Sequence, residues 1–205
     1  MKRTLLRFLA LPVLTVFIST NVVAQDENMS YYIAEKPVKP KVLLGVGSGV
    51  YYYSGILGTG IEVPVMNKFS FFGMAGLGGW GYKCGFGVNY FFKEAPFKSS
   101  ISVGYAYATG GSDLELEMSV EDYPDSQKIK MDLHGAGTFN LAYAYHFKVG
   151  KKSKISLNVG YAIPLVEKPY RVHDSQYQLD EVGETTLRIM QPGGLMLGCN
   201  FMIGI

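Results

Sequence analysis

Cysteine, tryptophan and long apolar runs are all scarce in this 205-residue sequence. Two cysteines, Cys84 and Cys199, are too few for a disulfide framework, and no Cys or His spacing fits a zinc site, so we expect no metal and no other cofactor. The near balance of 19 Lys+Arg against 17 Asp+Glu gives no support to nucleic-acid binding. Glycine (25 residues), tyrosine (15) and phenylalanine (12) are plentiful, which favours an all-β chain.

The beginning of the chain has the pattern of an export signal. Lys2, Arg3 and Arg7 precede an apolar run at residues 8–18, and small residues stand before Gln25 where signal peptidase would cut. After this segment no apolar stretch has the length of a transmembrane helix. We therefore expect a removed signal peptide, a periplasmic linker and one folded domain, at residues 1–24, 25–40 and 41–205.

Large and small side chains alternate most clearly near residues 138–165. Phe139, Leu141, Tyr143 and Tyr145 alternate with small or polar residues, and the same pattern returns in Ile155, Leu157, Val159 and Tyr161. A period of two places the bulky residues on one face of each strand. The small set suits a narrow lumen and the bulky set suits lipid, as in a transmembrane barrel. A soluble lipocalin-like binder is an alternative, and it would need the bulky residues inside the barrel.

The same alternation, with turn residues between the runs, predicts eight strands near residues 41–53, 55–66, 68–80, 81–92, 99–109, 133–148, 154–165 and 188–205. A bulge or register change is expected in the glycine-rich third strand. Short, basic connections, one of them at residues 150–154 with Lys151, Lys152 and Lys154, alternate with long, acidic ones at residues 110–132 and 166–187. Outer-membrane barrels have short periplasmic turns and long external loops. We therefore predict an all-β, eight-stranded antiparallel up-and-down transmembrane barrel, with Tyr51, Tyr52, Tyr53 and Trp80 in an external aromatic girdle.

These features resemble the small eight-stranded outer-membrane barrels of the OmpX and OmpA transmembrane-domain type, over residues 41 to 205. The resemblance implies a Gram-negative outer-membrane location, contact with lipid and lipopolysaccharide, and a monomer. It also implies a sheet that protrudes from the external end and binds an extracellular protein partner through its edge.

The first long connection, at residues 110–132, has the pattern of a hairpin. Its two halves alternate apolar with charged residues around the turn residues Tyr123-Pro124-Asp125-Ser126. We expect the halves to extend the fifth and sixth strands, with acidic and basic side chains facing each other. The candidate interaction residues are Leu114, Glu115, Leu116, Glu117, Lys128 and Lys130. A solvated hairpin without a partner is the alternative.

Ionisable and amide side chains also fall on the predicted lumen face: Glu62, Lys83, Asn140 and His146. An eight-stranded barrel is wide enough only for side chains to fill, so we expect these groups to hydrogen-bond within a closed interior. Glu62 should be paired, because an unpaired buried charge is costly.

A catalytic alternative rests on the second long connection. His173 and Ser175, with Glu184 nearby, resemble the His-x-Ser pair and acid of lipid A deacylase barrels. The motif is common by chance and lies in a predicted turn. We expect a structural, surface-interaction or adhesion role through the external loops, and no enzyme; an enzyme acting on lipid A or phospholipid is the alternative.

Overall fold

A computed structural model describes residues 41–121, 123, 126–173 and 177–205. The predicted signal peptide (1–24) and linker (25–40) lie outside these residues, as do Ser175 of the catalytic alternative and Pro124 and Asp125 of the predicted turn.

The described chain is built from eleven strands and one helix. The strands are β1 Leu43–Val50, β2 Leu57–Pro64, β3 Phe69–Gly78, β4 Gly81–Phe91, β5 Lys98–Ala108, β6 Gly111–Met118, β7 Gln127–Leu133, β8 Ala136–Val149, β9 Ser153–Pro164, β10 Tyr170–Val172 and β11 Gly194–Gly204, and the helix is α1 Glu181–Met190. Eight strands close into an antiparallel barrel in the order β1, β11, β9, β8, β5, β4, β3, β2. The predicted fold class, an all-β chain with an eight-stranded antiparallel barrel, is confirmed.

The side chains of the barrel strands take the orientation that the alternation predicts. Phe139, Leu141, Leu157 and Val159 are 45 to 51% exposed, whereas their neighbours on the opposite face are buried or half-buried. Together with similar residues from the other strands they form an apolar belt around the outside. The belt includes Val46, Leu57, Ile61, Phe71, Phe86, Val103, Tyr143, Tyr161, Leu197, Phe201 and Ile203. The lipocalin-like alternative needs the reverse orientation and is wrong.

The two ends of the barrel differ in their connections. Short turns at residues 65–68, 92–97 and 150–152 lie at one end, the turn end, together with the closing contact of Ile205 N with Val42 O at 2.9 Å. The long connections lie at the other end, the cap end. The predicted separation of short and long connections is therefore confirmed.

Two of the strand boundaries that differ from the prediction have a clear local cause. β1 ends at Val50, because Tyr51 adopts a positive φ of 53° and turns the chain away from the ladder. Residues 188–190, predicted as strand, belong to α1, whose N-cap Asp180 accepts a hydrogen bond from Gly183 N. Pro192, two residues beyond Met190, follows the end of this helix.

The glycine-rich third strand is regular. β3 pairs with β2 and β4 in continuous register, so the bulge expected there is absent from this part of the ladder. The register shift that does occur lies between Gly111 and Leu114 in β6. No helix within the described ranges is long and apolar enough to cross a membrane.

Candidate functional site

The two long connections fold together into a small unit above the barrel, which we call the cap. It consists of the β6–β7 hairpin, the short strand β10 on the other edge of β7, and α1. Met118, Ile129, Met131 and Leu187 are all at most 3% exposed and form its core. The predicted hairpin is confirmed, and β10 and α1 cover it. The alternative, a hairpin without a binding partner, stays a prediction.

The charged face of the hairpin has the predicted arrangement. Glu115 lies opposite Lys130 and Glu117 opposite Lys128, and the Lys130 Nζ to Glu115 Oε1 distance is 3.7 Å. Both side chains of the measured pair are 59% exposed, so the pair contributes little to stability. Leu114 and Leu116 pack against the cap core from the other face.

The cap sheet has an open edge. Its strand order is β10, β7, β6, and no strand of the described chain pairs with the far side of β6. Just beyond this strand, Val120 is bridged to Leu179, and Glu121 N donates to Gln178 O at 2.9 Å. The free backbone groups of an edge strand are a template for pairing with another extended chain.

A polar cluster joins all three strands of the cap sheet. His173 Nε2 lies 2.7 Å from Asp132 Oδ2, His173 Nδ1 lies 3.7 Å from Asp113 Oδ1, and Asp113 N donates to Asp132 Oδ1 at 2.9 Å. The hydrogen bond with His173 is the main cause that lowers the pKa of the Asp132 carboxyl, helped by the bond from Asp113 N. We call this cluster the clasp.

The clasp is also the one group in the described chain whose carboxylate and imidazole atoms lie near enough together, within 4.8 Å, to hold a metal ion. Its geometry is already accounted for by hydrogen bonds, and it remains mostly exposed. Our expectation of no metal stays a prediction.

The candidate catalytic residues have separate partners. His173 contacts the two carboxylates of the clasp, whereas Glu184 Oε1 accepts a hydrogen bond from Lys168 Nζ at 2.9 Å. This pair lowers the pKa of Glu184 and raises that of Lys168. Ser175 lies outside the described residues. The positions of His173 and Glu184 therefore give the enzyme alternative no support. That the protein is not an enzyme stays a prediction.

At the turn end of the barrel, the lumen contains a buried ion pair. Lys154 Nζ lies 2.7 Å from Glu62 Oε2, and the side chains are 0% and 3% exposed. Ser70 Oγ donates to the other Glu62 oxygen at 2.7 Å, and Pro96 O accepts a second bond from Lys154 at 3.2 Å. Glu62 thus has the partner we expected. Lys154, which we placed in an exposed basic turn, is instead fully buried, a correction to that prediction.

Other lumen groups bond to neighbouring strands. His146 contacts Ser100 Oγ at 2.8 Å through Nε2 and Ser156 Oγ at 2.6 Å through Nδ1. Asn140 is fully buried, and its Nδ2 lies 3.9 Å from Met196 Sδ. These hydrogen bonds join β8 to both of its neighbours in the barrel wall.

The connection between β1 and β2 closes the lumen from the cap end. Tyr52 and Tyr53, predicted in an external girdle, are 3% and 1% exposed inside the barrel, and Tyr52 Oη accepts a hydrogen bond from Asn200 Nδ2 at 2.6 Å. The cavity that remains beside them is about 10 Å³, near the lower limit for one water molecule. The girdle assignment of these two residues is therefore wrong, because their rings act as a plug.

Trp80 also departs from the predicted girdle. It is 2% exposed in the cap core, and its Nε1 donates to His134 O at 2.9 Å. In the sequence, Trp80 lies at a tight turn between two predicted strands, and this position does not predict that the cap covers the side chain. Lys83 is also buried, at 6% exposure, and donates to Tyr51 O at 3.0 Å.

Comparison with known proteins finds no matching family model, no matching curated protein and no matching solved structure.

Proposed function

We propose that this protein is an integral outer-membrane barrel that presents the cap to the outside, where the open edge of β6 binds extended segments of other proteins. The barrel serves as the anchor and the cap serves as the interaction surface.

The apolar belt is the observation that carries the membrane placement. It surrounds a closed barrel whose interior holds the polar groups, and residues such as Leu157 and Leu197 remain 51% and 47% exposed. A soluble monomer rarely exposes so continuous an apolar surface. Closed pairing also satisfies the strand backbone without water, which hydrocarbon requires.

The connection lengths support an orientation. The short turns and both barrel termini lie at one end, and the cap lies at the other. In outer-membrane barrels the short turns face the periplasm. The cap would then face outward, as in the OmpX-type barrels that the sequence resembles.

The filled lumen favours an anchor over a channel. Tyr52 and Tyr53 occupy the cap end of the interior, and the Glu62–Lys154 pair occupies the turn end. The cap, in contrast, has its own core and a strand edge that no other described strand pairs with. The interaction role therefore falls on the cap.

Membrane placement can be tested by export and refolding. The full chain, expressed in a Gram-negative host, should fractionate with the outer membrane and migrate faster on gels before heating than after it. External protease should cut the cap and leave the barrel strands protected. Recovery in the soluble periplasmic fraction would contradict the membrane assignment.

Edge binding can be tested with the protein in lipid nanodiscs against a displayed library of linear peptides. The wild-type protein should enrich extended sequences, and a variant that replaces residues 115–129 by a short turn should not. The control is the double exchange Glu115→Lys and Lys130→Glu, which keeps the hairpin pair but reverses its charges.

The control separates backbone recognition from charge recognition. If the exchange variant loses enrichment as the deletion does, then charge rather than the open edge recognises the peptides. If the wild type enriches nothing while its barrel is folded, the cap is a passive extension and the interaction role is refuted.

A further inference from the structure

A separate cavity lies where α1 returns to the rim of the barrel. It measures about 220 Å³ and is bounded by the cap ends of β1, β3, β4 and β5, the β1–β2 connection and the end of α1. Its wall is held in place by Tyr51, whose hydroxyl donates a hydrogen bond to Ile189 O. Its lining includes Tyr51, Gly78, Trp80, Lys83, Ile189 and Met190.

The lining is chemically asymmetric. Trp80 and Met190 supply apolar surface, and the one charged residue in the wall is Lys83, whose side chain is 6% exposed. Its ammonium donates to Tyr51 O at 3.0 Å, and no ion pair joins it to a carboxylate of the described chain. A lysine has three N–H donors, so donors remain for a further acceptor.

A buried ammonium without an anion is unfavourable, since burial removes hydration that one carbonyl only partly replaces. An anionic group seated at Lys83 would supply the missing charge. The apolar remainder of the cavity would then hold a hydrocarbon chain. Exposed apolar side chains, Val50, Ile56 and Ile189, flank the cavity and offer a path for such a chain.

The volume limits the size of this ligand. At about 220 Å³ the cavity is smaller than the roughly 300 to 1,000 Å³ of most sites for drug-sized molecules. One short chain, or the first part of a longer one, fits this space, whereas a two-chain lipid does not.

We propose that this cavity binds a single-chain amphiphile whose anionic head group pairs with Lys83 and whose chain packs on Trp80 and Met190. The head group is a carboxylate or a phosphate, since both are anions that accept hydrogen bonds. This inference goes beyond the proposed edge binding and involves a different face of the molecule.

Trp80 makes the proposal measurable, because it is the only tryptophan of the chain. The probe is 8-bromooctanoate, whose bromine quenches tryptophan fluorescence on contact, titrated into the full-length protein in phosphatidylcholine nanodiscs. We expect saturable quenching. The uncharged analogue 8-bromooctan-1-ol should bind at least tenfold more weakly, because it lacks the charge that pairs with Lys83.

Variants of the wall test the same contacts. Lys83→Met keeps the length of the side chain and should weaken the carboxylate at least tenfold while leaving the alcohol unchanged; Lys83→Arg should restore the preference. Gly78→Leu should abolish both. A Cβ at Gly78 would meet Lys83 Cβ at 3.9 Å, an ordinary contact, so the larger side chain would grow beside the lysine stem.

Unlabelled octanoate and octyl phosphate, used as competitors, distinguish the two head groups, and the stronger one identifies the ligand class. Equal affinity of wild type for the brominated acid and alcohol would overturn the proposal, as would nonsaturable quenching or displacement by neither competitor. The head-group comparison uses wild type alone, so it remains decisive if a variant fails to fold.

Discussion

The buried Glu62–Lys154 pair should be the most sensitive polar contact of the barrel. We consider Lys154→Met, Glu62→Gln and the double variant. Methionine keeps much of the length of lysine without its charge, and glutamine keeps an acceptor for Ser70 Oγ, which bonds Glu62 at 2.7 Å. Lys152→Met is the matched control, since this cation is exposed in the neighbouring turn.

The magnitude follows from the distance and burial of the pair. At 2.7 Å and an effective dielectric constant of about 20, the Coulomb attraction is roughly 6 kcal/mol, which is offset by the cost of removing both charges from water. Deleting one partner leaves the other charge buried and should cost about 3 to 5 kcal/mol. With the amide oxygen of Glu62→Gln on Ser70 Oγ, its NH2 group faces Lys154, which then keeps Pro96 O at 3.2 Å as its acceptor. The double variant should cost much less than the sum of the two.

The assay is urea unfolding in lipid vesicles, with the fraction of heat-modifiable barrel measured on gels. Trp80 fluorescence in the same samples reports the cap end separately. Lys152→Met should change the free energy of unfolding by less than about 0.5 kcal/mol. If Lys154→Met costs no more than this control, or if the double-variant cycle gives no coupling, the buried pair does not contribute as its geometry indicates.

Three further predictions concern the belt, the clasp and catalysis. Leu157→Arg, in the apolar belt, should cost about 2 to 4 kcal/mol in lipid if the site is near the midplane, and vesicle unfolding showing no loss would contradict lipid contact. Because the clasp lowers the pKa of Asp132, its stabilisation should be complete above the ordinary Asp pKa of about 3.9 and be lost as pH falls through the lowered value. A carboxyl NMR titration should show this shift, and His173→Ala should move the pKa of Asp132 back towards its ordinary value, in part only because Asp113 N still donates to it. An unshifted pKa of Asp132 in the wild type would contradict the reasoning. His173→Ala and Ser175→Ala should leave the acylation pattern of host lipid A unchanged, and loss of a deacylated species from its mass spectrum would instead support the enzyme alternative.

The barrel was predictable because its signal is local and repeated. Alternation of size in β8 and β9 identified the strands and their outer face, and turn lengths identified the two ends. The same rule would have placed Lys154 inside, since it precedes Ser156 and Asn158 by two and four residues. We assigned Lys154 to the basic turn from its charge alone, whereas the alternation of inner and outer positions along β9 predicts its buried position correctly.

The cap was only half predictable. The β6–β7 hairpin has alternating residues and complementary charges, but β10 has three residues and no periodic signal. Its pairing with β7 depends on two connections that are far apart in sequence. The helix α1 had local signals, an acidic first turn and Asp180 as N-cap, which the expectation of a long strand from residue 188 obscured.

The tyrosine plug shows why the lumen face of this barrel is rich in glycine. A Cβ at Gly198 would lie 2.5 Å from the ring of Tyr52, and one at Gly85 would lie 2.9 Å from that of Tyr53. The two rings therefore fill the space that larger side chains on the barrel wall would occupy. The alternation in the sequence predicts small residues on the inner face, but it does not predict which side chains fill the lumen. The tyrosines come from a connection that has no strand alternation. Small side chains on the inner face thus reflect a filled interior rather than an open pore, and the two binding surfaces that we propose both lie at the cap end.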